Sequence, residues 1–306
     1  MRQKLKEESG PAPAPEPKRV SRGFFRDLYE HKYKHLMIIT LALLFISGGI
    51  IVANFLVTGE WIKKDISLKG GISLTVMTDT GFDEVEAFFK ERFPGSDYTM
   101  RKISGGFIIE AADIEEDTLF SAAQEKVGEL NKDDYSIEVM GSALGASFFK
   151  ETGLAIVIAF VLMAIVVFVT FRNLVPSLFV ILAAFSDIVC TFAFTQLFGI
   201  KLSTAGIAAF LMLIGYSVDT DILLTTRVLR RKEGTVYDRT VGALKTGLTM
   251  SITSLVAISI GLIFSQSTVL RQIFIILFVG LLFDIINTWL QNAGILRWYL
   301  EKNVKD

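Results

Sequence analysis

Six apolar runs punctuate the chain, at about residues 36–57, 153–171, 175–198, 203–226, 248–265 and 271–296. A helix of roughly 20 apolar residues crosses a bilayer, so each run predicts a transmembrane helix. Between the first and second runs the pattern changes. Residues 66–78 alternate, with Ile72, Leu74 and Val76 against Ser73, Thr75 and Met77, which predicts a half-buried strand. Residues 82–93 carry Val85, Phe88 and Phe89 on one helical face. Segments 98–103 and 107–111 flank Ser104-Gly105-Gly106, a hairpin turn signal. A helix over 114–130 and a last strand over 135–140 complete the order β-α-β-β-α-β, which is ferredoxin-like. Two helices on a four-stranded sheet are enough for one small domain.

The fold class expected is therefore an α-helical polytopic membrane protein of six transmembrane helices with an extracytoplasmic α+β domain. The predicted divisions are a basic, disordered cytoplasmic tail over 1–35, the first span over 36–57, the ferredoxin-like domain over 58–149, five spans over 150–298 and a short cytoplasmic tail over 299–306. The first span lacks a small-residue cleavage site and reads as an uncleaved anchor. Charge sets the orientation. Arg2, Lys4, Lys6, Lys18, Arg19, Arg22 and Arg26 precede span one, Arg172 lies between spans two and three, and Arg227, Arg230, Arg231, Lys232, Arg239 and Lys245 lie between spans four and five. The opposite loops hold only Lys201 and Arg271, so both termini are expected in the cytoplasm, with the protein in the cell membrane.

Composition agrees: 51% of residues are hydrophobic, 25 are Phe, and the mean hydropathy is +0.49. A net charge of −1 gives no reason to expect a nucleic-acid partner. The one cysteine, Cys190, allows no intrachain disulfide, and His31 and His35 fall at the expected headgroup boundary. There is no phosphate-binding loop, metal-spaced His/Cys set or nucleophile with a base, so neither an enzyme nor a cofactor is expected.

The chemistry lies in the spans. Span four contains Ile214-Gly-Tyr-Ser-Val-Asp219-Thr-Asp221, and Asp187 and Asp284 sit in spans three and six. A carboxylate at mid-bilayer costs on the order of 2.5–3.5 kcal/mol, which points to a hydrated path, a proton relay or pairing inside the bundle. Two residues on a helix are about 200° apart, so Asp219 and Asp221 face nearly opposite ways. Asp221 shares a stripe with Ser217 and Thr225; Asp219 shares one with Tyr216 and Thr226, with Arg227 two turns on. Thr246, Thr249 and Thr253 in span five, and Asp284, Asn287 and Gln291 in span six, are expected to turn polar faces toward one another. The same groups also suit plain interhelical bonding, and Arg227 suits a snorkelling position at the membrane edge. Gly70-Gly71 reads as a bulge or close backbone approach in a strand, and Gly141-Ser-Ala-Leu-Gly145 as a hinge or a plain connection.

These residues resemble the SecD/SecF protein-export family. The run from Ile214 to Asp219, with Ile222 and Arg227, is similar to the fourth-span signature of SecF. Asp65-Ile-Ser-Leu-Lys-Gly70-Gly71 is similar to the element after the first span, and Phe185-Ser-Asp187 to the span-three position. The resemblance runs from span one to the C-terminus. In bacterial members the aspartate falls where this chain has Thr220, and an arginine stands near the start of span five where this chain has Lys245-Thr246; the Asp-Thr-Asp form is archaeal-type. The resemblance implies an auxiliary, non-enzymatic subunit that pairs with SecD into an assembly resembling RND transporters, each chain one half. It implies use of the proton gradient to assist export through a SecY/SecE-type channel, with the outer domain meeting the exported polypeptide. Asp219, Asp221, Asp187, Asp284 and Arg227 are the expected intramembrane relay, and Asp65, Gly70 and Gly71 the family motif. A scaffold that stabilises SecD and the channel without carrying protons is the other expectation.

Overall fold

The computed structural model describes residues 32–231, 233–265 and 267–303. Most of the expected N-terminal tail, including His31 and the basic residues from Arg2 to Arg26, lies outside the described residues, as do Lys232 and 304–306.

Six helical segments among the described residues are long and apolar enough to cross a membrane. They are α1 (Tyr33–Thr58), α5 (Ser142–Phe171), α6 (Leu174–Leu197), α7 (Thr204–Arg230), α8 (Val236–Phe264) and a last segment built of α9 (Thr268–Ile286), a π-helical turn (Asn287–Asn292) and α10 (Ala293–Asn303). Side chains set several starts. Asn173 accepts from the Val175 N–H at 3.2 Å and Ser203 from the Gly206 N–H at 3.1 Å. Helix α8 begins at Val236, well before the apolar run at 248, because Thr235 and Asp238 form a reciprocal capping box. Its first three turns mix Asp238, Arg239, Thr240, Lys245 and Thr246 with apolar residues, so a hydropathy reading passes over them. Gly141 alone separates the sheet from α5, so the segment 141–145, expected as a hinge or a plain connection, is the N-cap and first turn of span two.

The sheet domain comprises β1 (Gly71–Met77), α3 (Phe82–Arg92), β2 (Tyr98–Ile103), β3 (Gly106–Ala111), α4 (Glu116–Val127) and β4 (Tyr135–Met140). The strands are antiparallel in the order β2-β3-β1-β4. Leu74, Val76, Phe107 and Ile109 line the covered face and pack with Val85, Phe89 and Leu119 from the helices. Ser73 and Thr75 take the opposite face, as the pleat requires.

One expected strand is corrected. Residues 66–69 are not the start of β1 but a single helical turn, α2 (Ile66–Lys69). Asp65 caps it, accepting from the Ile66 N–H at 2.8 Å, and Gly70 ends it at φ 84°. Gly71 follows at φ 142°, and a Cβ there would lie 2.4 Å from the Ala111 carbonyl oxygen. Two consecutive glycines therefore let the chain turn out of α2 directly into the sheet.

The sheet domain touches the bundle through charge as well as backbone. Asp97 accepts from Lys69 at 3.0 Å and from Lys201, in the α6–α7 loop, at 3.1 Å. Burial pushes Asp97 up, but the two ammonium groups outweigh it and hold the carboxyl below its usual range. Burial pushes Lys69 down, but Asp97 and Glu60 outweigh that and raise it. A lowered acid contributes above the ordinary carboxylate range and loses that contribution as pH falls through its lowered value; a raised amine loses its own only in strong base. The clamp is thus expected to hold across neutral pH and to open in acid or in strong base. Amide exchange at residues 200–202, followed from pH 7 to pH 3, checks this: protection should fall at the acid end in the native chain and lose that step in Asp97→Asn.

A buried carboxylate cluster as the candidate functional site

Of the four intramembrane aspartates, the structure gathers three. Asp187 on α6, Asp221 on α7 and Asp284 on α9 are each 0% exposed, and they lie close enough to act on one another electrostatically. Their hydrogen bonds come from neutral donors. The Ser217 hydroxyl donates to one Asp187 oxygen at 2.5 Å, and the Asn287 amide donates to the other at 2.8 Å. Thr220 donates to Asp284 at 2.9 Å, and Thr288 donates to the same oxygen at 3.1 Å. The Asn292 amide donates to Asp221 at 2.7 Å. Among the described residues no lysine or arginine forms an ion pair with any of the three.

The π-helical turn organises these donors. In an α-helix positions 287, 288, 291 and 292 already share an arc of about 140°, and the wider turn keeps them on one side of the axis. Here Asn287, Thr288, Gln291 and Asn292 are all buried at once, Gln291 donating to Ser186 at 3.0 Å. Such wider turns recur at functional positions. Several polar atoms of this cluster have no protein partner: Asp221 Oδ2, Thr225 Oγ1, Asn287 Oδ1, Gln291 Oε1 and Asn292 Oδ1.

Asp219 stands apart. It is exposed on the far side of α7 from Asp221, as two residues on a helix dictate. It lines an open groove of about 580 Å³ with Ile222, Leu223, Thr226, Arg227, Arg230 and Met250. Arg227 shares that groove, but its guanidinium donates at 2.6 Å to the Gly242 carbonyl of α8.

The expected threonine face of span five is corrected too. Thr249 and Thr253 are exposed, and each hydroxyl donates 2.8 Å to a carbonyl one turn back on α8. That local bond satisfies a threonine anywhere on a helix, so threonine spacing does not report the inner face. The inner face of α8 is marked by Ala243, Gly247 and Ser251. The motif residues lie elsewhere again: Asp65, Gly70 and Gly71 form the joint between α1 and the sheet, remote from the cluster in the fold.

Thr288, Asn292 and Ser186 were not singled out by the sequence as partners of the carboxylates. The available signal was the density of amides in one apolar span. Thr220, where the resemblance puts the bacterial aspartate, donates to Asp284 and so occupies the same cluster.

Comparison with known proteins follows from this geometry. The family model for protein export membrane protein SecD/SecF, C-terminal, matches residues 120–302. The protein-export membrane protein SecF of Pyrococcus furiosus is 42% identical over 300 residues, covering 94% of this chain and 98% of its own. That of Methanolacinia petrolearia is 38% identical over 289 residues, covering 92% of this chain and 99% of its own. Among solved structures, SecDF from Thermus thermophilus, described as a translocon-associated membrane protein, shares the fold with a TM-score of 0.69 at 20% identity, covering 87% of this chain. This chain spans 38% of that one's length.

Proposed function

Starting from its membership of the SecD/SecF family of protein-export membrane proteins, we propose that this multi-pass membrane chain is an auxiliary subunit of the Sec translocase that pairs with SecD and uses the proton gradient to promote export. The observation that carries the reading is the cluster of Asp187, Asp221 and Asp284, buried together and bonded by hydroxyls and amides, with no lysine or arginine among the described residues paired to it. Three buried carboxylates repel one another when ionised, and protons can balance their charge where lysine and arginine do not. Atoms such as Asp221 Oδ2 and Thr225 Oγ1 give a moving proton or a water further places to bond.

Pairing with SecD has its own support. Asp219 is exposed on a helix that crosses the membrane, where facing lipid is costly. A partner helix that offers Asp219 a donor over the groove it lines with Ile222, Leu223 and Met250 removes that cost. In this arrangement the basic ends of α7 and α8 are cytoplasmic, as are both termini, and the sheet domain stands outside the cell facing the exported polypeptide.

A scaffold role is the second reading, favoured by one observation: both oxygens of Asp187 are already bonded across helices, as interhelical glue requires. Two substitutions separate the readings. Asp219→Lys places a cation on the proposed partner face and is expected to reduce co-purification of SecD by about tenfold, ~1.4 kcal/mol of pairing energy. Asp187→Asn together with Asp221→Asn is expected to leave pairing unchanged and to remove gradient-stimulated export from vesicles. Loss of pairing in the double variant, with export normal in whatever complex remains, would support the scaffold instead.

A further inference from the structure

The Asp65–Gly71 element takes no part in the carboxylate cluster, yet it and the residues just before it are bonded to the bundle at several points. Leu202 donates its N–H to the Lys63 carbonyl at 2.7 Å, and Asp65 donates its N–H to the Leu202 carbonyl at 2.9 Å. This short parallel bridge joins the chain leaving α1 to the loop entering α7. Ser67 accepts from the Thr204 N–H at 3.2 Å, bonding the first residue of α7 from outside the helix. Gln196, at the end of α6, donates to the Trp61 carbonyl at 2.6 Å. Leu68, 1% exposed, is packed inside the bundle with Leu202, Ile207, Phe210 and Ile276.

From Leu68 only Lys69 and Gly70 intervene before β1, the central strand paired with both β3 and β4. The far end of the domain returns through Gly141 directly into α5. Beside the joint lies a cavity of about 320 Å³ lined by Asp65, Arg101, Glu110, Lys201 and Gln272, so the domain stands on a narrow support with space next to it. Asp97 completes the contact, joined to Lys69 of the joint and Lys201 of the α6–α7 loop through one carboxylate.

We propose that residues 63–71 are the mechanical joint by which movement of α6 and α7, the helices that carry Asp187 and Asp221, reaches the sheet domain, with Leu68 and Asp97 as its positioning residues. The proposal rests on the export reading above. A two-residue link between a buried anchor and a central strand transmits displacement, whereas a longer or looser link would absorb it.

The test inserts Gly-Gly between Lys69 and Gly70 in the full chain complexed with SecD in vesicles, with Asp97→Asn as a second variant that leaves the backbone intact. The insertion is expected to keep proton flux within about twofold of the native complex while gradient-stimulated export falls about tenfold or more. Asp97→Asn is expected to leave proton flux unchanged and to lower gradient-stimulated export by about threefold or less. Export at the native rate in both variants overturns the joint. So does loss of flux in parallel with export, because the element would then serve only to hold the bundle together. A third measurement works even where the native complex shows no gradient stimulation, the outcome that sinks the parent reading. Spin labels at Glu91→Cys and Val269→Cys, in a Cys190→Ser background, report the distance between domain and bundle. The insertion should broaden that distribution about twofold; an unchanged width overturns the joint independently.

Discussion

Asp187→Asn is expected to lower gradient-stimulated export by about a hundredfold while the chain still folds and still co-purifies with SecD. The asparagine oxygen can keep the bond from Ser217 or from Asn287, so most of the interhelical contact survives. What disappears is the capacity to take and release a proton. Asp187→Leu separates that loss from packing. It strands the Asn287 amide in the buried interior, at a cost of about 1–3 kcal/mol, while Ser217 can turn its hydroxyl to a carbonyl of its own helix. The leucine variant should therefore show a lower thermal midpoint in detergent as well as lost export, and the asparagine variant lost export alone. Normal export in Asp187→Asn would assign this carboxylate to interhelical bonding only. The same logic applies to Asp284, held by Thr220 and Thr288. Asp221 is held by a single amide, with its second oxygen free of protein partners.

Gly247→Leu should be the most destabilising single change in the bundle. A Cβ at Gly247 would sit 2.2 Å from Cζ2 of Trp289 and 2.9 Å from Cη2. The indole ring is buried among Leu224, Val228 and Ala243 and has little room to retreat. Alanine alone forces overpacking worth about 1–3 kcal/mol, and leucine exceeds that range. Because Trp289 belongs to the π-helical turn, displacing it also disturbs Asn287 and Asn292, which serve Asp187 and Asp221. Thermal unfolding in detergent checks the stability loss. Trp289→Phe should recover part of the deficit of Gly247→Ala, giving a non-additive double-mutant cycle. Additive losses would mean that the two residues do not meet.

The ferredoxin-like order was legible because strand alternation and a Gly-Gly turn are local signals, and the structure reproduces it strand for strand from Gly71 onward. The joint ahead of it was not. Ile66-Ser-Leu-Lys alternates like a strand, but Leu68 is buried in the bundle rather than in the sheet, a tertiary fact that no window of sequence contains. The aspartates announced themselves by their cost in an apolar span, and helical geometry placed Asp219 and Asp221 on opposite sides. Their partners were hidden for two reasons. Ser217 and Asn287 were visible as polar positions but bond Asp187 on a third helix, and Thr288 and Asn292 join through the wider turn at 287–292, which periodicity alone does not announce. On α8 the threonines misled because their hydroxyls bond their own helix, while the small residues Gly247 and Ser251 mark the buried face.

The central claim is that the buried carboxylates carry protons. Proton flux into vesicles that hold this chain with SecD, driven by an imposed pH gradient, measures it directly. The native complex should conduct, and a variant with Asp187, Asp221 and Asp284 all changed to asparagine should fall to the leak of empty vesicles while still pairing with SecD. Equal flux in the two complexes would contradict the claim and leave the cluster as a means of holding helices together.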